Sequence, residues 1–175
     1  MTPDPAHDGA VALQIDWLGA ARIEATSQNL DRMVREKAFI DTNRSVIDTL
    51  DLPLLVPGDP ALLAGATLFP HGDFYTLSIT TGGLSVVLTG HARAFPLSDG
   101  AAAMLPAGGL TALMPQDGVV IEPGEAGIDA GFAQFGGVYG VSLQCADLAD
   151  ERCADDAYVR RLIATMTVVL PRPGD

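Results

Sequence analysis

The chain has 175 residues, 48% of them hydrophobic and only 6% aromatic, and carries a net charge of −12. That composition excludes a disordered chain and leaves small aliphatic side chains to fill most of one domain's core. Five of the ten basic residues (Arg22, Arg32, Arg35, Lys37, Arg44) fall in one N-terminal segment, and between Ser45 and Glu151 only Arg93 is basic. Nucleic acid is therefore excluded as a partner, since neutralising phosphates takes a basic patch.

No apolar run approaches the roughly 20 residues that a membrane-spanning helix needs. One lysine against nine arginines, amid abundant Ala, Gly and Asp, is the habit of a GC-rich bacterial genome. Residues 1–10 read as a flexible polar leader, with Pro3 and Pro5 blocking helix and neither a basic start nor an apolar stretch to mark a signal peptide. A single domain is expected over 11–175. Its first stretch, VALQIDWLGAARI, is apolar without a clean period, so strand and helix both remain open there. The one tryptophan, Trp17, is expected to pack in the core or against a helix.

A helix is expected over 28–41, capped by Thr26 or Ser27, with Leu30, Met33, Val34 and Ala38 on one side. A second short helical stretch covers 43–50. Pro53, Pro57 and Pro60 then exclude a long helix and a central strand, which leaves Leu54 to Val56 as a short edge strand or connector. Asp59 as cap and Pro60 at the first helical position set up one helical turn.

Residues 73–90, DFYTLSITTGGLSVVLTG, form the clearest hairpin. A two-residue Gly82-Gly83 turn sets Ile79 opposite Val86, Leu77 opposite Leu88 and Ser78 opposite Val87, with one face apolar and the other hydroxyl-bearing. Thr67 to Phe69 is expected to begin a strand that continues past Pro70 into this hairpin, and His91 to Leu97 to extend its far end. A loop follows over 98–109, then a meander of short strands from Leu110. A second hairpin, 127–145, repeats the plan: with Gly136-Gly137 as its turn, Phe132 faces Val141, Ala130 faces Leu143 and Ile128 faces Cys145. The C-terminal helix, 156–166, is capped by Asp155 or Asp156 and aligns Val159, Leu162, Ile163 and Met166. Thr167 to Leu170 reads as a final strand or extended edge.

These elements predict an α+β fold. One antiparallel sheet, a meander of hairpins with about six or seven strands, carries an N-terminal and a C-terminal helix on one face. The alternative is a partly closed β-barrel with a terminal helix.

Cys145 and Cys153, separated by an acidic loop, are expected to form a structural disulfide, worth roughly 2–3 kcal/mol on loop entropy. A disulfide points to an oxidising, periplasmic or secreted location, the alternative being the cytoplasm. The nearest approach to a chemical constellation is His71, Asp73, Tyr75, His91 and Arg93 at the open end of the first hairpin, a candidate binding site. Regular pairing puts His71, Asp73 and Tyr75 on one face and Phe74, His91 and Arg93 on the other, so a bulge is needed to unite them. No catalytic residue, metal ligand set or cofactor is assigned: nucleophile elbow, phosphate loop and dinucleotide fingerprint are all missing from the sequence. The expected function is a binding or assembly domain of the bacterial envelope without catalytic machinery, with a protein partner or a small ligand. Two alternatives stand beside it. One is a small-molecule or lipid carrier, with Gly131, Ala133 and Gly140 leaving room between sheet and helices. The other is a hydrolase or metal-dependent enzyme using His71 and Asp73.

Overall fold

The structure, a computed structural model, describes residues 11–26, 30–94, 118–125, 127–147 and 149–172, with the side chains of 30–35 left aside. The expected leader (1–10), the loop 98–109 and the strand 110–114 lie outside these residues. In chain order the elements are β1 (Val11–Ala12), α1 (Trp17–Thr26), α2 (Leu30–Ile47), β2 (Leu54–Val56), α3 (Pro60–Leu63), β3 (Ala66–Pro70), β4 (Phe74–Thr81) and β5 (Leu84–His91). They continue as β6 (Arg93–Ala94), β7 (Val119–Gly124), β8 (Gly127–Gln134), β9 (Gly137–Cys145), α4 (Glu151–Ala154), α5 (Ala157–Ala164) and β10 (Thr167–Val169).

The fold is α+β, built on a six-stranded antiparallel sheet in the order β3-β4-β5-β9-β8-β7. Two three-stranded meanders, β3-β4-β5 and β7-β8-β9, lie side by side, and their last strands pair antiparallel, as a twofold would arrange them. The sheet does not close into a barrel. Two small ribbons complete the strands: β10 pairs with β2, and β1 with β6.

The first hairpin takes the expected register, Ile79↔Val86, Leu77↔Leu88 and Ser78↔Val87. The second is displaced by two residues: Phe132 faces Tyr139, Ala130 faces Val141 and Ile128 faces Leu143. Its turn is Phe135-Gly136, both in the left-handed region at φ 50° and 77°, which is what a tight two-residue hairpin turn requires. Because the displacement is even, every side chain keeps its expected face. The strand beginning at Ala66 does not run on into the hairpin. Gly72, at φ 68°, reverses the chain, and β3 pairs back on β4 as a separate edge strand.

The inner face of the sheet holds the core. Leu68, Leu77, Leu88, Val141 and Ala130 form one row across it, and Ile79, Val86, Leu143 and Ile128 the next. Phe39 and Ile47 of α2, Leu54, Leu55 and Val56 of β2, Leu62 and Leu63 of α3, Val159 and Leu162 of α5, and Val168 and Val169 of β10 cover that face in the same apolar cluster. On α2 the buried side chains are Phe39 and Ile47, whereas Ala38, expected inside, is exposed. Trp17, expected in the core or against a helix, opens α1 with 41% of its surface exposed.

The third inner row is Tyr75–Gly90–Tyr139–Phe132. Both tyrosines are buried, and their hydroxyls reach the segment lying over the sheet. Leu55 N–H donates to Tyr75 Oη at 2.9 Å, and Tyr139 Oη donates to the Pro53 carbonyl at 3.1 Å. Gly90 makes the row possible, since a Cβ there would overlap the Tyr75 ring and come within 3.0 Å of Leu52 Cδ1.

The far corner is pinned by the Cys145–Cys153 disulfide, whose Cα atoms are 6.2 Å apart. Asp150 caps α4 by accepting from Arg152 N–H at 2.9 Å, and the Arg152 guanidinium bonds both Asp150 and the Gly82 carbonyl of the first hairpin's turn. Asp155, not Asp156, accepts the N–H of Ala157 at the start of α5, and Asp156 pairs with Arg160 instead. At the C-terminus, Leu170 N–H bonds Glu24, Leu170 C=O accepts from Arg44, and Arg172 N–H bonds Asp48.

Two predictions test this framework. Gly90→Ala overpacks the tyrosine row and should destabilise by about 1–3 kcal/mol, and Tyr75→Phe, which orphans the buried Leu55 N–H, by a similar amount; urea unfolding reads both. The hydrogen bonds from Arg152 hold the Asp150 carboxyl at about 2, below its ordinary value. A depressed carboxyl contributes stability that is complete above its unfolded pKa and lost as pH falls through the folded one. Asp150→Asn should therefore flatten the acid limb of the stability profile between about pH 4 and 2.

Candidate functional site

The reversal at 71–73 rearranges the expected constellation. Gly72 C=O accepts from Asp51 N–H at 2.8 Å, and Asp73 C=O accepts from Ala92 N–H at 2.7 Å, which fixes the turn against both neighbouring segments. His71 is thereby folded onto the outer face of β4. Its imidazole stacks on Phe74 with ring centroids 4.5 Å apart and planes 5° from parallel. Phe74 in turn stacks on His91, its partner on β5, at 5.9 Å. The expectation that the two histidines point to opposite sides is thus corrected. A left-handed glycine in a turn, rather than a bulge, brings them to one face.

Of the other three, Tyr75 leaves the group, whereas Asp73 and Arg93, expected on opposite faces, come together. Tyr75 points inward, fully buried, as part of the tyrosine row. Burial pushes its phenol far above the ordinary range, so it acts as a neutral hydrogen-bonding group. Asp73 and Arg93 meet in an ion pair of 3.4 Å, with 27% and 42% of their side chains exposed, a geometry worth under about 1 kcal/mol. They border an open depression of about 510 Å³ that also takes in Asp51, His71 and residues of the N-terminal segment, Ala12, Leu13 and Ile15. Asp51 and the N-terminal segment could not be placed here from the sequence, because only long-range backbone bonds bring them.

A phenyl ring lies between the two imidazoles, so they cannot share a metal ion, and among the described residues no three His, Cys, Asp or Glu side chains are grouped to hold one. No hydrogen bond joins an imidazole to Asp73 among the described residues. What this rim offers is a flat, half-exposed aromatic surface with a charged pair beside it.

That surface continues across the outer face. The row His71–Phe74–His91–Val138–Ala133 runs beside Phe69–Thr76–Thr89–Gly140–Gly131–Val120. Phe69, Val120 and Val138 are 52%, 38% and 41% exposed, and all three belong to these two rows. Gly131, Ala133 and Gly140 are therefore on the outer face and leave no room between sheet and helices. That inner space is filled by Tyr75, Tyr139, Leu52 and Leu54. A depression of about 580 Å³ between α3 and α5, bordered by Asp59, Tyr158 and Arg161, opens on the surface.

Comparison with protein-family models, with curated proteins and with solved structures gives no match. Among the described residues, no helix is long and apolar enough to cross a membrane.

If the stack rather than the ion pair organises the rim, Phe74→Ala should cost about 1–2 kcal/mol and Asp73→Ala less than about 1 kcal/mol. Parallel urea titrations of the two variants give the order.

Proposed function

We propose that this chain is a binding or assembly module of the bacterial envelope, working through the outer face of its central sheet. The observation that carries the reading is the side of the sheet on which its apolar side chains remain exposed. Phe69, Val120 and Val138 stand on the face opposite the core, in two adjoining rows with the His71–Phe74–His91 stack. Exposed aromatic and aliphatic side chains set among polar ones are what protein–protein contacts use. The Cys145–Cys153 disulfide supports an oxidising compartment. The lysine-poor, arginine-rich composition supports a bacterial source. An acidic chain with a single basic residue between Ser45 and Glu151 favours a partner that is itself basic.

Two measurements in the native host test the reading. A thiol-alkylating reagent should label neither cysteine before reduction and both after it, and two reactive thiols in the unreduced protein would overturn the compartment. A photo-crosslinking residue at position 74 or 138 should give a discrete protein adduct that the same residue at exposed Leu18 of α1 does not. No adduct from either outer-face position would overturn the binding role.

A further inference from the structure

The depression of about 580 Å³ between α3 and α5 has an apolar base and charged walls. On α5, Tyr158, Arg161, Leu162 and Thr165 recur at three- and four-residue spacing, which sets them on one face. Opposite them α3 brings Leu62 and its cap, Asp59. Leu62 and Leu162 are buried and form the base. The polar groups above them have bonding capacity to spare. Asp59 Oδ1 accepts the N–H of Ala61 at 2.9 Å, which leaves Oδ2 uncommitted. The Arg161 guanidinium lies 5.5 Å over the Tyr158 ring centroid and has no carboxylate partner among the described residues. Tyr158 Oη makes no hydrogen bond among them either. Burial holds that phenol above its ordinary value, and the charges of Asp59 and Arg161 both act on it, so the three groups converge. Elsewhere opposite charges this close join directly: Arg152 pairs with Asp150, Arg160 with Asp156, and Arg93 with Asp73 in the depression at the rim. Here a carboxylate and a guanidinium face one hollow and stay apart.

We infer that this depression binds a small zwitterion with an apolar side chain, a free α-amino acid. Its ammonium group meets Asp59 Oδ2, its carboxylate meets Arg161 and Tyr158 Oη, and its side chain lies on Leu62 and Leu162. A simple anion would meet Asp59 and the field of a chain of net charge −12, and a simple cation would meet Arg161. A zwitterion answers both charges at once. The depression lies among the helices that cover the inner face, so the inference does not rest on the outer face being a binding surface.

The probes are leucine, valine and phenylalanine, added to the full chain while backbone amide shifts are followed. N-acetylleucine, which lacks the ammonium, and leucinamide, which lacks the carboxylate, are the controls. Saturable shifts should concentrate at 58–62 and 158–165, and leucine should bind about tenfold or more tightly than either control. Asp59→Asn keeps a capping side chain and Arg161→Gln changes an exposed position, so both should unfold in urea close to the parent. Each should nevertheless weaken leucine binding about tenfold. Equal shifts for leucine and its two derivatives, no saturable shift with any of the three amino acids, or undiminished binding by Arg161→Gln would overturn the inference.

Discussion

The row Tyr75–Gly90–Tyr139 is the constraint on which the covering layer depends. Two phenol rings on neighbouring strands point to the same side, and only a missing side chain between them lets both lie flat in the core. Their buried hydroxyls must find partners. The backbone of 53–55 supplies them, held extended by the prolines on either side. Burial raises both phenols far above the ordinary range, so they are neutral hydrogen-bonding groups at neutral pH. The segment so anchored then pairs with β10, and Leu170 and Arg172, just beyond β10, make the contacts to Glu24, Arg44 and Asp48.

The opposite end of the sheet is secured differently. There, one covalent bond and one arginine gather the end of β9, the short helix 151–154 and the turn of the first hairpin into a single corner. Helix 157–164 starts immediately beyond it and lays Val159 and Leu162 on the core. The inner face is thus fastened from both ends, and the outer face keeps its own chemistry: hydroxyls, two histidines and three exposed apolar side chains.

Much of this is legible from alternation. Period-two patterning places the paired residues of both hairpins on their observed faces, and the cap at Asp59, the edge strand at 54–56 and the C-terminal stripe follow from local rules. What alternation does not determine is a displacement by two residues. Gly136-Gly137 is the obvious turn, yet the chain turns one residue earlier by holding Phe135 in the left-handed region, where its ring is packed against the core. Tertiary burial there outweighs a backbone preference. The candidate rim was misread for a related reason. The role of Gly72 as a reversal depends on Asp51, twenty-one residues upstream, and no local pattern reports such a bond.

The pairing of β2 with β10 also dictates an order of events. Leu54–Val56 emerges from the ribosome more than a hundred residues before Thr167–Val169, its only strand partner among the described residues. Until then the two meanders can form hairpins, but the apolar face they share has no complete cover. Such long-range closure slows folding and leaves adhesive intermediates open to aggregation. Completion waits for Thr167–Val169, so a chain cut before that strand retains its sheet-forming sequence while losing part of what shields it from water.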